Sequence, residues 1–317
     1  MTFTKQTAER KAPWLLVLIT LPTVLILITG CQKVTPEPVK TTELKPAEVK
    51  PAEAGLTEAE PRSTVSLYDK CAAILKNCVD DKGMVDYKTL KRKKPELSHL
   101  LDEFAKLDPH EYNSWTKEDK IAFWINAYNI KMLKIIVDSY PIQSQRILRV
   151  IWGPDSIRHI DGIWDKYKFI VMKEEFTLKE IEQRFFYKEF NEPQAFLAIS
   201  YASLSGPPLR NEPYYGPKLY EQLGDQAKKF LSSPLAFSID REKRIVYISA
   251  VFQPSWHGKY FLDKYGTDKK FKDQQPEVAA VLNFLTNYIS QQDVSFLDLE
   301  NYSVEFIRYD WTINDSP

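Results

Sequence analysis

The stretch Ala198-Ile199-Ser200-Tyr201-Ala202-Ser203-Leu204-Ser205-Gly206-Pro207-Pro208-Leu209-Arg210 ends an apolar run in small hydroxyl residues, a glycine, a rigid proline pair and an arginine. A serine becomes a nucleophile when a base lies within hydrogen-bond reach, which makes Ser203 and Ser205 candidate nucleophiles of a hydrolase. The competing expectation is a structural turn whose hydroxyls satisfy loop amides. The chain holds four histidines. His99 and His110 lie in polar contexts and read as solvated. His159 has Asp161 two residues on, which is able to orient an imidazole, and His257 follows Trp256. These last two are the candidate bases, each with a structural histidine as the rival reading.

Binding chemistry is suggested elsewhere. In Asn126-Ala127-Tyr128-Asn129 the two amides are three residues apart, which on a helix places both on one face beside an aromatic wall. Amides on an apolar helix must find partners, either nearby backbone or a ligand. Arg210 is expected either to pair with Glu182 or to grip an anionic group bidentately. A cleft framed by Asn126, Asn129, Ser203, Ser205 and Arg210 is the resulting expectation. No metal-ligand cluster is evident, and the scattered glycines offer no phosphate loop, so neither a metal nor another cofactor is expected.

The elements that must position these groups follow from periodicity. Helical spacing covers residues 65–78, 97–107 and, most strongly, 117–140, which Pro141 stops. Thr177 with Glu180 reads as a capping box opening a helix to about 188. Further helices are expected at 218–231 and 276–289. Strands are expected at 168–172, 195–200, 236–240, 244–249 and 303–309, with a hairpin around 241–243. Irregular mixing of the two types points to an α+β domain, helices packed on a mostly antiparallel sheet, over residues 64–317. Cys71 and Cys78 are seven apart, about 10 Å along a helix, too far to bridge unless the helix ends between them. They read as small buried residues.

The N-terminus differs. Lys5, Arg10 and Lys11 precede an apolar run from Trp14 to Ile28, which has the layout of an export signal over residues 1–30. Ile28-Thr29-Gly30-Cys31 resembles the lipobox of bacterial lipoproteins, which implies acylation of Cys31 and membrane attachment through lipid. Gln32, rather than Asp, follows that cysteine, so in a two-membrane cell the resemblance implies the outer membrane, facing the periplasm. Residues 31–63 are rich in Pro, Glu, Lys and Thr and read as a disordered tether. With 43 basic and 43 acidic residues and no basic aromatic patch, nothing favours nucleic acid.

Phe123-Trp124-Ile125-Asn126-Ala127-Tyr128-Asn129, Leu178-Lys179-Glu180-Ile181-Glu182, Pro207-Pro208-Leu209-Arg210, Ile248-Ser249 with Phe252 and Trp256, and Tyr309-Asp310-Trp311 together resemble the DUF547 family, over about residues 64–314. The resemblance implies a cysteine pair before Pro-Pro-Leu-Arg and a histidine after the Ile-Glu of the capped helix, suited to a thiol nucleophile and its base. Tyr201, Gly206 and Gln183 stand there instead, and none can act as thiolate or base near neutral pH. The expectation is an envelope lipoprotein that binds or scaffolds an envelope protein or small molecule. The alternative is an envelope hydrolase of peptide, ester or glycan linkages that uses a serine.

Overall fold

The structure, a computed structural model, describes residues 63–144 and 146–316. The export signal, Cys31 and the tether up to residue 62 lie outside the described residues. No helix among the described residues is long and apolar enough to cross a membrane.

Four helices open the fold: α1 (Ser63–Cys78), α2 (Tyr87–Arg92), α3 (Lys94–Lys106) and α4 (Pro109–Asn113). Cys71 and Cys78 are buried, free thiols on α1, as the helical spacing requires. Helix α1 packs on α2 and α3, which in turn pack on the central helix α5 (Lys117–Ser139). Thr116 caps α5 by accepting from the Asp119 amide, and the helix stops before Pro141. Nearly every side chain from Ile121 to Val137 is buried, so this helix is enclosed on nearly every side, and its few polar side chains must find partners inside the protein. Each such large apolar side chain contributes roughly 1.5–3 kcal/mol on burial.

After α6 (Arg146–Trp152), β1 (Phe169–Val171) and β2 (Glu174–Phe176) form a small antiparallel pair. The Thr177 capping box then forms as expected and starts α7 (Leu178–Ile181). Beyond this single turn the backbone widens into a π-helical stretch over Glu182–Glu189. The expected helix therefore has its expected extent but not its expected winding. Such wider turns recur at functional sites because they re-aim side chains.

The expected strand at 195–200 is not one. Ala195–Ala198 is a helical turn, α8, and Ser200 gives its backbone N–H to the Asn129 side chain rather than to a strand. Residues 195–200 are all buried, so neither the period of two nor that of 3.6 leaves a polar face to distinguish them. The chain continues through α9 (Leu219–Leu231) into the hairpin β3 (Phe237–Asp240) and β4 (Ile245–Ser249), then α10 (Leu262–Tyr265), α11 (Pro276–Leu285) and α12 (Gln291–Leu297). Last comes β5 (Ser303–Ile307), which pairs in parallel with β4 to give a three-stranded sheet. The architecture is α+β, with two small sheets whose strand pairs are antiparallel except for this last one.

The C-terminal segment laces these parts together. The Ile157 amide donates to the Trp311 carbonyl at 3.0 Å, and the Leu204 amide donates to that of Thr312 at 2.9 Å. Ile313 donates to Asp155 at 2.9 Å, and Val85 donates to Asn314 at 2.9 Å. This lacing brings Trp311 to a cavity that Glu182, the first residue of the π-helical stretch, also lines.

Candidate functional site

A cavity of about 410 Å³ opens where the π-helical stretch, the loop 255–260 and the C-terminal segment meet. Its size lies within the range of small-molecule sites. Trp164, Trp256, Tyr260 and Trp311 supply aromatic wall, Glu182, Gln183 and His257 supply polar groups, and Lys179 and Lys259 supply charge. The Trp256 and Trp311 rings are stacked, 27° apart with centroids at 5.5 Å, and Trp164 meets Trp311 edge-on at 5.7 Å. The three indoles thus form one continuous surface.

Glu182 is the first residue of the π-helical stretch, and its carboxyl accepts from the Tyr128 hydroxyl at 2.7 Å. Desolvation dominates and pushes the carboxyl up to about 7, although the Tyr128 bond and the nearby Lys179 both favour its ionised form. His257 is 2 % exposed, stacked on Phe196 at 4.2 Å, with Nε2 2.8 Å from the Tyr201 hydroxyl. Burial, with Lys259 nearby, lowers this imidazole to about 3, so it is neutral across physiological pH. The Tyr201 hydroxyl also reaches the Phe196 carbonyl at 3.2 Å. The other ring nitrogen of His257, Nδ1, is buried with no hydrogen-bond partner among the described residues. The arrangement combines a protonatable carboxyl, a neutral histidine and a broad aromatic wall.

The residues singled out from sequence are distributed differently from expectation. Asn126 donates to the Tyr214 carbonyl at 2.8 Å and accepts from the Tyr214 amide at 2.9 Å. Asn129 treats the next loop similarly, donating to the Ala198 carbonyl at 3.0 Å and accepting from the Ser200 amide at 2.7 Å. Both amides are spent on backbone: they clamp the 198–214 segment onto α5. The Ser203 hydroxyl lies 2.8 Å from that of Tyr309, and Ser205 accepts from the Asp310 amide at 2.9 Å. Both serines are buried. His159 holds the Gly153 carbonyl at 2.7 Å through Nε2. No serine–histidine hydrogen bond forms among the described residues.

Arg210 pairs with Glu212 rather than with Glu182, which is engaged with Tyr128, so the expected Arg210–Glu182 pair does not form. The cleft expected among Asn126, Asn129, Ser203, Ser205 and Arg210 is likewise filled by the protein's own backbone and side chains. Of the expected site residues, only Glu182 and His257 line the cavity. Sequence reading missed Tyr128, Lys179 and the three indoles as site residues. Their signal lay inside the recognisable strings, Tyr128 in Phe123–Asn129 and Trp311 at the C-terminus, but nothing local shows that these strings meet. Among the described residues no group of three or more His, Cys, Asp or Glu is placed to hold a metal.

The positions tied to cysteine by the resemblance are neighbours in space. A Cβ placed on Gly206 would lie 3.2 Å from the Tyr201 Cβ. Gln183, at the position tied to histidine, lines the cavity. No curated protein and no solved structure matches the chain. Residues 112–231, from Tyr112 to the end of α9, match the family described as protein of unknown function, DUF547.

Proposed function

We propose that the protein is a lipid-anchored envelope lipoprotein whose folded domain binds a small ligand in the cavity over Glu182. The lipobox-like sequence at Cys31 supports the anchor, and the tether gives the domain reach from the membrane. The observation that carries the binding reading is the cavity itself: a continuous aromatic wall facing a few polar groups is the composition of a ligand site. Loss of the thiol equipment that the family resemblance implies fits binding better than thiol chemistry.

The experiment is a thermal-shift panel of saccharides, peptides, polyamines and nucleotides against the full chain in detergent, repeated with Ser255→Trp, which plugs the cavity from an exposed lining position. A ligand at about 100 times its Kd stabilises by about 2.7 kcal/mol, a clear rise in Tm. The expected result is a rise that the plugged variant loses while its ligand-free Tm stays unchanged. A flat panel, or a rise that survives the plug, overturns the reading.

Acid–base chemistry in the same cavity is a second reading, favoured by the Glu182 carboxyl that keeps its proton to about pH 7. It requires turnover that falls as pH rises through 7 and is lost in Glu182→Gln.

A further inference from the structure

We propose that the ligand of this cavity is a saccharide whose pyranose ring carries an anionic substituent, a carboxylate or a phosphate. The proposal rests on the binding reading above and adds the ligand class.

Two features carry it. The first is the shape of the aromatic wall. A site for a nucleobase or other flat ring needs two parallel aromatic faces held apart as a slot. Here Trp256 and Trp311 stack on each other, and Trp164 abuts Trp311 edge-on. That leaves adjoining indoles along the lining and no gap between them wide enough for an inserted ring. A pyranose uses one aromatic surface: its axial C–H bonds make an apolar face, slightly positive, that rests on the negative face of an indole, while its equatorial hydroxyls point to the rim. Glu182 is placed to exchange hydrogen bonds with those hydroxyls, and the neutral His257 beside it adds no charge that a hydroxyl would have to solvate.

The second feature is the charge at the rim. Lys179 and Lys259 both line the cavity and are exposed, and among the described residues neither has an ion-pair partner. Lys259 instead lies over the Tyr260 ring at 5.0 Å. Two exposed ammonium groups from different elements, neither held in an ion pair, stand beside an aromatic surface and match one anionic group on the ring. The same lysines disfavour a cationic ligand, for which the indoles alone would otherwise be suited.

The test is titration of the full chain in detergent, followed by intrinsic tryptophan fluorescence, with a glucuronic-acid-terminated disaccharide, glucose 6-phosphate and the neutral disaccharide cellobiose, on the parent and on the Lys179→Gln/Lys259→Gln variant. Both lysines are exposed, so the variant is expected to fold with an unchanged Tm. Saturable binding of at least one anionic sugar is expected, at least tenfold tighter than cellobiose, with that advantage lost in the variant; the two anionic probes separate carboxylate from phosphate. The proposal is overturned if neither anionic sugar saturates up to about 10 mM, a range that covers even millimolar affinity, or if the variant keeps the preference. Should a different ligand in the panel bind and respond to the Ser255→Trp plug while both sugars fail, the binding reading stands and the ligand class alone falls.

Discussion

The Tyr128 hydroxyl donates to the Glu182 carboxyl across 2.7 Å, joining the long buried helix α5 to the first residue of the π-helical stretch. A tyrosine facing the core is left with a polar tip that needs a partner, and a carboxyl at the cavity floor is left with a charge that burial opposes. Each satisfies part of the other's need. The bond also holds in place a carboxyl that lines the site.

Stability should therefore carry the signature of two buried groups that pull in opposite directions. Glu182 has its folded pKa raised, to about 7. Its contribution is full below the unfolded carboxyl pKa and is lost as pH rises through 7. His257 has its folded pKa lowered, to about 3, so its contribution is full above the unfolded imidazole pKa and is lost as pH falls towards 3. In urea unfolding across pH, Glu182→Gln should be more favourable at pH 8 than at pH 5 by on the order of 1–3 kcal/mol, since a pKa unit is worth about 1.4 kcal/mol. The variant's stability should then only fall as acid is added. A profile parallel to the parent's would mean that the carboxyl is not desolvated.

The asparagine clamps should matter to the fold rather than to a ligand. Asn126→Ala or Asn129→Ala each leaves a buried backbone N–H and C=O without partners, at a cost of about 2–4 kcal/mol. Denaturant midpoints should fall accordingly, while ligand affinity measured where the variants are folded stays within a factor of about three. A large affinity loss with an unchanged midpoint would return these amides to the site.

Neither serine should behave as a nucleophile. Ser203→Ala gives up only its bond to Tyr309 and should cost about 1 kcal/mol. A fluorophosphonate probe should leave both Ser203 and Ser205 unmodified by mass spectrometry. An adduct at either that disappears in His257→Gln would restore the serine-hydrolase alternative.

The closeness of positions 201 and 206 is open to direct check. In a Tyr201→Cys/Gly206→Cys variant the two Cβ atoms start about 3.2 Å apart, a few tenths of an ångström inside the usual disulfide spacing. An intramolecular bridge should form on mild oxidation, seen as protection from alkylation. Two freely alkylated thiols after oxidation would place these backbones further apart.

Anchoring is tested by Cys31→Ser. The parent should partition into detergent in phase separation, and the variant into water or remain as uncleaved precursor. Two or more acyl chains are needed for stable attachment, so loss of the single thiol should be sufficient. An unchanged partition of variant chains that have lost residues 1–30 would remove the lipid from the proposal.

The sequence by itself determined the elements whose signals are local. Helix α5 is evident from its apolar spacing and from Pro141, and the Thr177 capping box and the β3–β4 hairpin are evident from residues within a few positions of each other. It also determined that thiol chemistry is missing at positions 183, 201 and 206, since that is a matter of residue type. Only the tertiary structure decided the site. Tyr128, Glu182, His257 and Trp311 come from elements far apart in the chain, and what brings them together is burial summed over many contacts and the lacing of the C-terminal segment, neither of which leaves a mark on any short window. For the same reason the 195–200 run was misread: where every side chain is buried, periodicity has no polar face to report, and only the Asn129 clamp on Ser200 settles the backbone's path.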